Sequence, residues 1–402
     1  MLEFMSLLVS YALMALADSV DAMFGNQINI DSVVVAGAMT SLSMITKSLS
    51  RLGGYTFRCT RKNRSKSLQI SAIAGIGLGV VIFLLRGIIV DVYRITPSQK
   101  ELFNRCLIQW SVYIPFYSVG NDLFEQIRLD SKLKLYSKSL LWFYILLIGT
   151  DALIFMKWHR LDYLYAATTL TAATMIVVMY KWSGVKYERL DREFLIDVKK
   201  YAIPIAIERL FNGFSMMLSA VIISGLGEKT FAVHSVLYGA MCTGESITNS
   251  YQAALMIKLP LDKSYEEAKK ATKYWMKQMF FILIGIYFVY MMISIVIYKG
   301  TIPLRDCFPW YFFYMVEYLG LYWYESMKTL CINQKVVKLM ALCVPIGGIA
   351  RYSCMLIAYF VKLPLIPLGL SVGLDFAIRG TVYYCLLYFN NKKEINKLTA
   401  KA

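Results

Sequence analysis

The chain has 402 residues, 58% of them hydrophobic, and a formal net charge of +17 at pH 7. Soluble domains carry about 45–50% apolar residues, and a mean hydropathy of +0.52 excludes an ordinary soluble fold. The basic excess does not mark a nucleic-acid binder, because its distribution along the chain follows membrane topology.

Apolar segments of about 20 residues, the length that crosses a bilayer, recur along the whole chain. They predict twelve spans at 4–24, 28–46, 68–90, 104–124, 138–156, 162–180, 199–224, 231–257, 276–298, 308–327, 336–360 and 366–389. With a cytoplasmic N-terminus, the loops and tail on that side hold 30 of the 43 Lys and Arg, and the opposite loops hold 10. Arg209, Arg351 and Arg379 fall inside spans. This asymmetry obeys the positive-inside rule. It predicts a multi-pass protein of the cell membrane with both termini cytoplasmic, embedded in lipid, with no nucleic-acid partner. A monomer is expected.

In chain order, span 1 carries Asp18 and Asp21, three apart and hence on one helix face. "ALAD" (15–18) has the look of a signal-peptidase site, but no basic region precedes it and the apolar run continues to Phe24, so a span is expected. "GIGLG" (75–79) in span 3 reads as a packing surface, since a phosphate loop would not lie inside an apolar span. Span 5 holds Asp151 in "IGTDALIF". Span 6 follows with hydroxyls at Thr168, Thr169, Thr171 and Thr174. Carboxylates with hydroxyls suit a hard monovalent cation or a proton, so Asp18, Asp21, Asp151, Thr168 and Thr171 form a candidate coupling set in the first half. Solvation near the outer interface would also explain Asp18, helix capping would explain Asp151, and back-bonding would explain the threonines.

The halves repeat each other. "AMFGNQINIDSVVVAGA" (22–38) and "ISGLGEKTFAVHS" (223–235) each join two spans, and each second span runs into a basic loop. The predicted fold class is an all-α polytopic membrane protein, two six-helix bundles around a central cleft, with residues 1–190 and 191–402 as the two lobes. The charged stretch "WSGVKYERLDREFLIDVKK" (182–200) links them. Six is even, so this is a parallel repeat, an arrangement that in transporters places the substrate near the midplane.

The second half carries its own acids. An ionised group at the bilayer centre costs roughly 2.5–3.5 kcal/mol even on the lenient insertion scale, so such groups face protein or water. Glu208 on span 7 aligns with Asn212, Ser215 and Ser219, while Arg209 stands about 100° round the helix, badly placed to neutralise it. On span 8, Glu245 aligns with Asn249 and Gln252. Glu317 on span 10 lies among Tyr314, Tyr318 and Tyr324, and Glu325 approaches the cytoplasmic end. Glu208, Glu245 and Glu317 are the candidate coupling carboxylates of this half. Asn212, Ser215, Asn249, Gln252 and Tyr314 are candidate cavity residues. Asp375 and Arg379, four apart on span 12, read as a structural ion pair. The eight cysteines are scattered without a CxxC pair and there are two histidines, so neither a metal nor a cofactor is expected, and no interfacial cluster marks an enzyme.

These same motifs, in order, resemble the multidrug and toxic compound extrusion (MATE) family over nearly the whole chain. "IPIAIERLFNGF" (203–214) followed by "ISGLGEKTFAVHS" is similar to that family's helix 7 and its short turn into helix 8. "YEEAKKATKYW" (265–275), "TDALIF" (150–155) and "LDFAIRG" (374–380) match further elements. The chain departs from the family pattern at Leu147 and at "LCINQK" (330–335). The resemblance implies an antiporter that expels small cationic amphipathic compounds in exchange for Na+ or H+ by alternating access. Glu208, Glu245, Glu317, Asp18 or Asp21, and Asp151 then stand where the family binds its coupling ion. On this reading Glu208→Gln folds and inserts but loses coupled efflux. The alternative from the same superfamily is a flippase for lipid-linked oligosaccharides or for other lipids or peptides, which would show arginines and lysines in its cleft.

Overall fold

The computed structural model describes residues 9, 23–129, 133–259, 264–337 and 340–399. Most of span 1, with Asp18 and Asp21, lies outside them. Spans 2 to 12 each correspond to a helix, and there is no strand among the described residues.

Span 2 is Ile30–Leu49. Asn29 caps it, its side chain accepting from the Ser32 N–H. After a break at Ser50 and Arg51 the chain continues as a short helix, Leu52–Thr60. Spans 3 to 6 are Arg64–Val92, Pro97–Leu129, Leu133–Trp158 and Leu161–Ser183. Span 7 runs Arg192–Ser224 and includes a π-helical turn, Val198–Ala202. The turn sits just before Pro204, whose missing N–H breaks the regular ladder. Gly227, at φ +109, makes the tight turn into span 8, Glu228–Lys258. Span 9 is Tyr265–Ile297, span 10 is Phe308–Met315 continued by Glu317–Asn333, and spans 11 and 12 are Cys343–Phe360 and Leu365–Thr399.

Eight of these helices are long and apolar enough to cross a membrane by length and composition alone. Spans 4 and 8 fall outside that group because they carry polar groups of the interior, such as Glu245 and Gln252, and span 10 because it is split into two shorter helices. Spans 3 and 9 are the opposite case, with Leu84, Ile88, Phe281 and Val296 exposed on their outer faces as a lipid-facing surface requires.

Helices before the 184–191 connection pack chiefly on one another, as do those after it, and span 2 joins the two sets by packing on spans 7 and 8. Glycines make that crossing close. Gly213 lies on the backbone of Ile45, and Gly37 lies on Ser235. The "GIGLG" run is a packing surface: Gly75 and Gly79 seat span 3 against Ser111, Pro115 and Ser118 of span 4.

Candidate functional site

Between the two sets of helices lies a cavity of about 340 Å³, within the range of roughly 300–1,000 Å³ usual for small-molecule sites. One wall is aromatic, with Trp110, Tyr113 and Tyr117 from span 4, Phe143 and Tyr144 from span 5, and Tyr165 from span 6. Span 2 and its extension add Lys47, Arg51 and Arg58. The facing wall has Arg209 and Asn212 from span 7, Glu245, Asn249 and Gln252 from span 8, and Tyr324 and Glu325 from span 10.

The cavity reaches the end that bears the basic loops, at Arg58 and Glu125. The opposite end is held shut by polar contacts between the halves. Asn26 Nδ2 donates to the Ile302 carbonyl (3.0 Å), the Ile302 N–H donates to Asn26 Oδ1 (3.0 Å), and the Thr301 N–H donates to the Asn26 carbonyl (2.8 Å). Nearby, Gln99 Nε2 donates to both Asp31 (2.8 Å) and Glu228 (3.0 Å).

The buried charges sort into three groups. Glu208 is sealed from solvent and bonded to Lys328 Nζ at 2.8 Å, with the Tyr324 hydroxyl as a second donor. Arg209 Nε stands 3.6 Å from Glu208, and its Nη2 stands 3.6 Å from Glu325, which also accepts from Gln252. Asp375 takes two bonds of 2.5 Å from Arg379 and a third cationic contact at 2.6 Å from Arg351. Arg379 also reaches Asn212 at 2.6 Å.

The third group is Glu245 and Glu317. They are neighbours close enough to interact electrostatically, and among the described residues neither oxygen of Glu317 has a hydrogen-bond partner. Such a pair favours a proton or a cation between the two groups. Counting the second-half groups just named, five carboxyls stand against four cations, so one added proton brings the set to neutrality.

The expected sites divide accordingly. Glu245, Asn249 and Gln252 face the cavity as one stripe, and Asn212 and Thr168 join them. Glu208 does not: it is fully buried behind the wall, because Lys328 and Arg209 neutralise it from within the bundle. Arg209 therefore does approach Glu208, contrary to the helical-wheel expectation, because a long side chain bridges 100° of arc. Ser215 accepts from Tyr352 (3.2 Å) and Tyr314 bonds His234 Nδ1 (2.7 Å), both away from the cavity lining. Asp151 is buried within the first half and Thr171 is buried on span 6, neither on the cavity lining. Thr168, Thr169 and Thr174 bond back to carbonyls four residues earlier. Glu325 is buried, not an exposed end residue.

Sequence reasoning misses four charges. Lys47, Arg51, Arg58 and Lys328 read as loop residues, yet the first three line the cavity and Lys328 is sealed in span 10. The signal for the first three is spacing: 47, 51 and 58 continue one helical face, four and then seven apart.

No protein-family model matches the chain, and no curated protein matches its sequence. Solved structures do match. An inward-facing multidrug resistance MATE family transporter of the MOP superfamily superposes with TM-score 0.72 at 15% identity, covering 96% of this chain and 97% of that one. The chain has the MATE fold. The MATE multidrug transporter DinF-BH, in complex with rhodamine 6G, gives TM-score 0.74 at 13% identity over 96% and 95% of the two chains. A MOP superfamily transporter from Pyrococcus furiosus, described as having a binding pocket of reverse polarity, gives 0.69 at 13% identity over 96% and 94%. The described residues thus share the all-α membrane fold of MATE structures over nearly the full chain.

Proposed function

We propose that the protein is an ion-coupled secondary transporter of the cell membrane, passing an amphipathic compound through the central cavity by opening it to one side and then the other. One observation carries this reading: Glu245 lines the cavity, Glu317 is buried beside it, and neither has a basic partner in bonding distance among the described residues. A buried carboxyl pair takes up and gives back a single positive charge at low cost, whereas a carboxylate already paired with lysine does not. The coupling ion, Na+ or H+, is thus assigned to Glu245 and Glu317, and Glu208 becomes part of the scaffold. With the basic end cytoplasmic, the cavity in this conformation extends toward the cytoplasmic side.

The sense of exchange follows from the charge of the cargo. A cationic compound would compete with the coupling ion and give antiport, whereas an anionic one would be held better when the ion is bound. The fold itself does not fix that sign. The Pyrococcus furiosus neighbour, with its reversed pocket polarity, supports the view that this architecture accommodates either.

The test is transport in proteoliposomes under a sodium gradient or a proton gradient imposed separately, with rhodamine 6G as the cationic probe and 1-naphthyl phosphate as the anionic one. One gradient should drive one probe in the native protein, and Glu317→Gln should abolish that drive while leaving the protein folded. Gradient-driven transport by Glu317→Gln at the native rate removes the assignment.

A further inference from the structure

One basic group of the cavity, Arg51, has no carboxylate in contact among the described residues. Among the described residues the cavity's lining holds Lys47, Arg51, Arg58 and Arg209 against Glu125, Glu245 and Glu325. Arg58 and Glu125 cancel each other in a two-point pair of 2.6 and 3.0 Å. Glu245 has Glu317 as its close neighbour. Glu325 is shared between Gln252 and a 3.6 Å contact with Arg209.

Arg51 has no ion-pair partner among the described residues, although it faces the cavity only half exposed. Its nearest polar neighbour is Asn121, whose amide oxygen, turned toward it, accepts from Arg51 Nε at 2.6 Å. Its guanidinium lies 5.9 Å from the Tyr55 ring. Arg209, from the other half of the molecule, lines the same cavity. A guanidinium in a partly desolvated cavity with no carboxylate beside it, as Arg51 is among the described residues, needs a counter-charge. Guanidinium forks suit phosphate, sulfonate or carboxylate oxygens.

We propose that the cargo carries such an anionic group on an aromatic or otherwise apolar body, with Arg51 and Arg209 holding the group from the two halves and the Trp110–Tyr117 wall taking the body. This rests on reading the cavity as the cargo site. Because the anion spans Arg51 of span 2 and Arg209 of span 7, it ties the two halves together at the level of the cavity. A cation taken up by Glu245 of the same wall and Glu317 beside it then strengthens the hold on the cargo, so ion and cargo move together and not in exchange.

The experiment is calorimetric titration of the full-length protein in phosphatidylcholine nanodiscs, with two probes that share a ring system and differ in charge: 1-naphthyl phosphate and 1-naphthylmethylammonium. The phosphate should bind and the ammonium should not. Arg51→Gln should weaken the phosphate by about ten-fold or more, the effect of one charge-assisted contact, and Arg209→Gln should act likewise. Should Arg209→Gln disturb Glu208 and Glu325 and fail to fold, Arg51→Gln decides alone. Equal or tighter binding of the ammonium, or unchanged phosphate affinity in Arg51→Gln, overturns the proposal. Phosphatidic acid added to the disc separates the sources: competition means a lipid headgroup, and no competition means a soluble anion. Binding needs no gradient, so phosphate binding by the native protein that Arg51→Gln weakens stands even where neither imposed gradient drives transport. Gradient-driven transport of rhodamine 6G with no phosphate binding would sink the anionic cargo alone.

Discussion

Lys328 Nζ lies 2.8 Å from Glu208 Oε2, with the two side chains 1% and 0% exposed. The most prominent acid of span 7 is therefore one half of a dry ion pair. Removing one partner of such a pair strands the other charge, at a cost of about 3–5 kcal/mol, whereas replacing both with groups of similar shape is often near neutral. Glu208→Gln should consequently unfold at a markedly lower temperature than the native protein. Glu208→Gln combined with Lys328→Met should recover most of the loss and retain transport. Thermal unfolding in detergent, followed by tryptophan fluorescence, measures both.

The contacts of Asn26 with Thr301 and Ile302 hold the end opposite the basic loops closed. Each hydrogen bond contributes about 0.5–1.5 kcal/mol net, enough to shift an equilibrium between two open states. Asn26→Ala should therefore increase exposure from the outer side. A reporter substitution, Ser235→Cys, in a chain cleared of its eight native cysteines, should then react faster with an impermeant maleimide. Unchanged labelling would show that the clasp does not set the balance.

Gly213 is pressed against the backbone of Ile45, where an added Cβ would come to 2.7 Å from Cα and 2.8 Å from N. Backbone cannot step aside as a flexible side chain can. Gly213→Ala should push span 7 away from span 2 and cost about 1–3 kcal/mol, the usual penalty of overpacking. Gly77→Ala, with open space around it, is the control and should be tolerated.

Asp191 begins span 7, accepting from the Phe194 N–H at 2.9 Å, and pairs with Lys66 of span 3. Its hydrogen bond with Lys66, and then that from Phe194, hold its pKa below the ordinary aspartate value. A carboxyl group depressed in this way stabilises the fold above its unfolded pKa, near ~3.9, and loses that contribution as the pH falls through its folded value. Asp191→Asn should thus lower the unfolding temperature at neutral pH. The gap from the native protein should close in acid, as a series of melts across that range would show.

Much of the fold is legible in the sequence because hydropathy reports lipid contact. The spans facing lipid, such as 3 and 9, are plain from apolar length. The glycine run in span 3 and the Asp375–Arg379 pair are also readable, since helical spacing alone places their partners. The polar stripe from Glu245 to Gln252 faces the cavity as its period implies. Glu208 misleads because a stripe tells which residues share a face but not what that face meets. Its partner, Lys328, is 120 positions away in the chain and reads as one more loop charge. Arg51 is hidden for the same reason, since a basic residue at the end of an apolar run looks like topology until the helix is seen to continue.

The sequence alone determined that this chain lives in a membrane and which acidic groups cannot face lipid, because solvation costs are local and periodicity is one-dimensional. Only the tertiary structure decided which of those acids are paired with cations and which are not, and that arginines from both halves line one cavity. Electrostatic pairing depends on distances of a few ångströms between residues far apart in the chain, and those distances exist only once the helices have packed.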